Sequence, residues 1–242
     1  MPVLEHGDVR IRYDEYGTGF PVLLFAPGGQ QSSVGFWDRT PWNPIEHLSP
    51  QYRVIAMDQR NAGGSTAPVR SSDGWHSYME DHLALLDALG IEKFHLLGMC
   101  IGGPFIAQLA ESVPDRIGAA VVLQTIGLDG NRDLFHGTFD AWAAGLSDQH
   151  PEADATDWKG FRGNLYDGPH ILYSVADDVV PRITTPMLVF LGNDEPHPAS
   201  ASRFLAAKAP NAQLVEQWKE PENRDGARAA IEAFLAEHTP AS

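Results

Sequence analysis

Apolar residues follow two rhythms along this chain. Residues 3–16 alternate loosely, most clearly in Val9-Arg10-Ile11-Arg12-Tyr13, and predict an antiparallel hairpin on a sheet edge. Unbroken apolar runs then recur at 20–27, 52–58, 93–98, 119–126 and 187–191, the pattern of strands covered on both faces. A last strand is predicted at 213–218. Segments with helical spacing lie between these runs. Residues 75–89 put Met79, Leu83, Leu86 and Leu89 on one face and stop at Gly90; His82 in this helix is expected at the surface or boundary. Ile101, Phe105, Leu109 and Val113 share a second helical face, and 199–208 and 223–237 predict two more helices. Strands alternating with helices need crossover connections. The expected fold is therefore α/β, a mostly parallel sheet flanked by helices.

Residues 128–181 change character. They hold three short helix-like pieces, near 133–146, 156–165 and 171–180, rich in Trp, Phe, Tyr and His.

Candidate chemistry concentrates at Gly98-Met99-Cys100-Ile101-Gly102. A buried strand stops there, a nucleophilic side chain follows, and small residues lead into a helix. So sharp a turn forces strained backbone angles and needs small neighbours. The helix then aims its unpaired N–H groups at the cysteine sulfur, which favours thiolate, and Pro104 fits a first turn that needs no donor from it. A lone cysteine is more often an inert core thiol; the strand–turn–helix setting reverses that weighting.

With this elbow the chain resembles the α/β-hydrolase superfamily, cysteine replacing the usual serine, as in dienelactone hydrolases. The loop Asp58-Gln59-Arg60-Asn61-Ala62-Gly63-Gly64-Ser65 is similar to the family's Asp-x-Arg-Gly-x-Gly-x-Ser corner, with Asn61 where glycine is usual. The resemblance implies a core of residues 1–127 and 182–242 and a helical lid of residues 128–181. It implies oxyanion donors at Gly29 and Ile101, with Pro27 where a histidine is frequent. It also implies Phe135, Phe139 and Trp142 as substrate-binding residues, among lid aromatics that include Trp158, Phe161 and Tyr166. No cofactor and no metal are implied.

The match breaks at the general base. The family's histidine follows the last strand, but here 215–222 reads Val-Glu-Gln-Trp-Lys-Glu-Pro-Glu, and no histidine stands between His197 and His238. His197 is the substitute, on the loop after the penultimate strand and stiffened by Pro196 and Pro198. In the usual strand order that loop lies two strands from the nucleophile, roughly 10 Å at strand spacing. His136, His150 and His170 in the lid are weaker candidates. For the acid, Asp194 is preferred; Glu195 fits a Gly-x-x-Asp alignment, and Asp129 is a third option.

The totals bound the partners. At 242 residues the chain suits one domain with a full core. A net charge of −15 argues against nucleic acid or an anionic membrane, leaving a small-molecule substrate and saying nothing of oligomeric state. One cysteine allows no internal disulfide, and the amino terminus has no signal-peptide pattern, so a cytoplasmic location is expected. The expected function is cofactor-independent hydrolysis of an ester, thioester or lactone. The alternatives are a lyase, isomerase or cyclase using the same site for acid–base chemistry, and a non-catalytic small-molecule binder.

Overall fold

A computed structural model describes residues 1–241. Eight strands form one sheet: β1 (Val3–His6), β2 (Val9–Tyr16), β3 (Phe20–Phe25), β4 (Tyr52–Met57), β5 (Phe94–Cys100), β6 (Ile117–Thr125), β7 (Met187–Phe190) and β8 (Ala212–Val215). The helices are α1 (Pro44–Leu48), α2 (Trp75–Ala88), α3 (Gly102–Ser112), α4 (Arg132–Leu146), α5 (Ala155–Tyr166), α6 (Ala199–Lys208) and α7 (Arg224–Glu237). The order is β1-β2-β4-β3-β5-β6-β7-β8, antiparallel across β1, β2 and β4 and parallel from there on. The continuous apolar runs occupy the middle of the sheet because both faces there are covered. One core packs α2 and α3 against the first face; the other packs α1 and α7 against the second.

Three expectations change. Residues 171–179 are turns, not a helix, and only Val180–Arg182 coil briefly. The Asp177 carboxylate there accepts from the Ile171 N–H at 2.9 Å, a local bond that competes with helix formation. The last strand ends at Val215 because Trp218 turns back, its Nε1 donating to the Leu191 carbonyl at 2.9 Å. His82 is fully buried, not a boundary residue. Its ring lies 4.5 Å from that of Phe25 and 4.9 Å from that of Phe105, and Nε2 meets Gln59 Oε1 at 2.7 Å. Burial, with the charge of Arg60, pushes its pKa down to about 3. Helix α2 is wedged between α3 and the loop after β4, so its covered face is wider than the leucine stripe alone.

That loop explains Asn61. Its φ is +56°, a conformation that asparagine tolerates better than other side chains, and its Oδ1 accepts from the Ala67 N–H at 2.7 Å. Among the described residues no helix is long and apolar enough to cross a membrane.

Candidate active site

Strand β5 delivers Cys100 with φ +61°, in the left-handed region that a non-glycine side chain rarely adopts. The surroundings hold it there. A Cβ on Gly98 would come within 2.9 Å of the Gly102 backbone, and one on Gly103 within 1.9 Å of Thr125 Oγ1, so α3 sits directly against β5 and β6. The Cys100 carbonyl accepts from the Ile126 N–H at 3.1 Å. Such strain persists only where packing over-determines it.

The loop after β3 approaches from one side. Ser32 Oγ donates to the Ala26 carbonyl at 2.6 Å, and the Gln59 N–H to the Ser32 carbonyl at 3.0 Å, fixing the turn at Gly28 and Gly29. The loop after β7 approaches from the other. β7 is two strands from β5, as the sequence implied, and its loop folds back on itself. His197 Nδ1 meets Asp194 Oδ1 at 2.5 Å, and the His197 N–H donates to the same oxygen at 3.0 Å. Asn131, just before α4, donates from Nδ2 to the Glu195 carbonyl at 2.6 Å, and Ser202 Oγ accepts from the Gly192 N–H at 3.0 Å. Lys219 fills the stretch after β8 where a histidine was missing; its Nζ donates to Asn193 Oδ1 at 2.5 Å and lies 3.8 Å from Asp194 Oδ2.

The electrostatics couple these loops. Burial pushes the Cys100 thiol up, but the close approach of the His197 imidazole and the Gly28 and Ile101 N–H groups overcome it and hold the thiol below its ordinary value. Burial likewise pushes His197 down, and Cys100 with Asp194 more than offset that, leaving it raised. His197 Nε2 is buried without an aligned hydrogen-bond partner. Contacts of this kind commonly tighten only when substrate binds.

Cys100, half-buried, opens with His197 onto a cavity of about 300 Å³. Gly28 and Gly29 form one wall; Ile126, Leu134, Phe135 and Tyr166 form the apolar remainder. Within it Gln30 Nε2 donates to the Tyr166 hydroxyl at 2.6 Å.

The structure thus gathers Cys100, Ile101, Gly29, His197, Asp194 and Phe135. It leaves out two expected substrate-binding residues. Phe139 packs into an aromatic cluster with Trp142, Trp158 and Phe161, and Trp142 borders a separate groove beside Gln31 and Phe36. Phe135, Phe139 and Trp142 follow i, i+4, i+7, and that stripe mostly faces α5. The stripe that lines the cavity is Leu134 and Thr138, a milder pattern that an aromatic search passes over. The Gly28-Gly29 loop stands at the site as its place after a strand implied, but Gln30 beside it was given no role.

The other candidates sit elsewhere. His136 meets Asp167 at 2.8 Å, His150 meets Glu152 at 2.8 Å, and neither those two nor His170 borders the cavity. Asp129 accepts from Ser200 Oγ at 2.8 Å, and His238 meets Phe234 edge to face. Glu195 stands exposed at the cavity mouth, without touching His197 through a hydrogen bond or ion pair. Among the described residues no group of three or more His, Cys, Asp or Glu side chains is disposed to hold a metal ion.

A strained residue at the end of a central parallel strand, with a helix N-terminus directly beneath it, is the elbow of the α/β-hydrolase architecture; the histidine on the β7 loop departs from the family's usual place after the last strand. The alpha/beta hydrolase fold profile matches residues 21–172, and the chain belongs to that family. It is 33% identical over 128 residues to a fluoroacetate dehalogenase from a Burkholderia species, covering 51% of this chain and 40% of the relative. It is 33% identical over 110 residues to a pimeloyl-[acyl-carrier protein] methyl ester esterase of Legionella pneumophila, covering 45% of this chain and 39% of the relative. These matches span about two-fifths of the relatives' length. The crystal structure of the enol-lactonase from Burkholderia xenovorans LB400 superimposes with a TM-score of 0.71 at 20% identity, over 97% of this chain and 100% of that one.

Proposed function

We propose that this protein is a cofactor-independent hydrolase of a small ester, thioester or lactone, with Cys100 as its nucleophile. The observation that carries this reading is Cys100 at φ +61° on the elbow, sharing one cavity with His197, whose Nδ1 is held by Asp194 at 2.5 Å. The named activities of the relatives, an esterase, a lactonase and a dehalogenase, support hydrolysis in general. The ester-type substrate and the cysteine mechanism are our own reading.

In this reading the Cys100 thiolate attacks the carbonyl carbon while the carbonyl bond opens to an oxyanion. The N–H groups of Ile101 and of the Gly28–Gly29 turn receive that charge, with Gly29 as the assigned second donor. The tetrahedral intermediate collapses, the His197 imidazolium protonates the departing oxygen or sulfur, and an acyl-Cys100 thioester remains. His197, now neutral, takes a proton from water; the hydroxide formed attacks the thioester and releases the acid. Asp194 holds the imidazole by Nδ1 and keeps Nε2 toward the sulfur. Residues 128–181 act as the lid over this cavity, and a reducing cytoplasm suits the single thiol.

Incubation with p-nitrophenyl butyrate tests the reading. The expected result is p-nitrophenol release with a transient butyryl mass on the peptide that carries Cys100, both lost in Cys100→Ala. Turnover that survives Cys100→Ala would discard the covalent mechanism in favour of acid–base chemistry. Reversible binding without turnover or label would make the protein a binder.

A further inference from the structure

The charge of the cavity separates two kinds of substrate. Its walls at Ile126, Leu134, Phe135 and Tyr166 are hydrocarbon or aromatic. The buried polar pair inside, Gln30 and Tyr166, is neutral: the phenol oxygen accepts from Gln30 Nε2 at 2.6 Å, and burial keeps the phenol protonated far above its usual range. Thr138 spends its hydroxyl on the Leu134 carbonyl at 2.8 Å. Among the described residues, no lysine or arginine lines this space. Arg132 at the start of α4 is turned to the Gly168 carbonyl at 2.9 Å, and Lys219 is engaged by Asn193 behind the β7 loop. The carboxylate-bearing residue at the mouth is Glu195, and the chain's net charge of −15 adds a field of the same sign. The His197 imidazole facing the site is already engaged, with Asp194 Oδ1 at 2.5 Å from Nδ1 and Cys100 beside it in the cavity.

We propose, resting on the hydrolase reading above, that the site takes uncharged, small acyl groups and rejects acyl groups that carry a carboxylate. A carboxylate entering this cavity would shed its water and find no lysine or arginine to replace it, only neutral donors such as the Tyr166 O–H. Size follows from volume. A cavity of about 300 Å³ lies at the small end of ligand pockets and suits a short acyl chain.

Two paired measurements test this. The first compares p-nitrophenyl butyrate with mono-p-nitrophenyl glutarate, whose acyl chain ends in a carboxylate. The neutral ester should have a kcat/KM at least about 100-fold higher, and Thr138→Arg should narrow that ratio about tenfold or more. The second needs no turnover. N-butyl iodoacetamide and 4-(2-iodoacetamido)butanoate carry the same neutral reactive group on neutral and anionic tails. Against β-mercaptoethanol as reference, the neutral tail should alkylate Cys100 at least about tenfold faster. Rates within threefold for the two tails would overturn the inference even if esters are hydrolysed. Tail discrimination with every ester inert would leave the charge selection standing and remove the hydrolase reading instead.

Discussion

His197 and Asp194 are three residues apart on one loop, and their side chains meet at 2.5 Å, Nδ1 to Oδ1. Imidazole and carboxylate therefore move as one unit, pinned by Asn131 through the Glu195 carbonyl and by Lys219 through Asn193. The stretch after β8, which carries no histidine, contributes Lys219 as a brace on this loop.

This pairing sets the reactivity of the thiol. Cys100 is held below the ordinary thiol value and His197 above the ordinary imidazole value, each favouring the charged form of the other. Alkylation of Cys100 by iodoacetamide should rise with pH through a midpoint below that of a free thiol. In His197→Ala burial acts on the thiol with less opposition, and the midpoint should move up. An unchanged midpoint would mean that the imidazole does not act on the sulfur.

Turnover should depend on His197 more than labelling does. On p-nitrophenyl butyrate, His197→Ala should cost about 100-fold or more in kcat, the usual range for a positioned acid–base group. Asp194→Asn should cost less, because the loop backbone still places the ring. Glu195→Gln and His136→Ala should stay near the wild-type rate. A His197→Ala enzyme that keeps wild-type kcat would place the base elsewhere.

Acid should destabilise the fold through two histidines remote from the cavity. Burial, with the Arg60 charge, pushes His82 down to about 3; burial, with the His238 charge, pushes His95 down to about 4. In the unfolded chain both bind a proton near pH 6.5, which the folded protein does not take up until well below that. Stability is thus fully present above about pH 6.5 and falls as the pH drops toward 4, by up to about 1.4 kcal/mol per pH unit for each histidine. Urea melts at pH 7 and pH 5 should show a shallower loss for His82→Gln than for the wild type. Equal losses would mean that His82 does not govern it.

The elbow should not tolerate a methyl group at its third small residue. A Cβ on Gly103 would stand 1.9 Å from Thr125 Oγ1, so Gly103→Ala must push α3 off β6. Overpacking of this kind costs about 1–3 kcal/mol. For a chain of this size that is a fall in Tm of roughly 2–4 °C per kcal/mol. Gly226→Ala, which meets no atom within 4 Å, is the control and should melt near the wild type.

The sequence by itself determined the sheet and the nucleophile's setting. Hydrophobic runs such as 20–27 and 52–58 read directly as strands because burial on both faces leaves a one-dimensional trace, and the elbow is a local motif whose glycines are adjacent in the chain. Asp194 and His197 were also within sight, since they share one loop. Tertiary structure alone decided what surrounds them. Whether Phe135 or Phe139 faces the cavity depends on where α5 lies, a contact some twenty residues away. His82 was misplaced for the same reason: three elements distant in sequence bury it, and a helix's own periodicity reports one stripe, not how many neighbours cover the helix. Lys219 shows the same limit. Its place behind Asp194 comes from β8 lying beside β7, a neighbour relation made by sheet pairing and written in no local pattern.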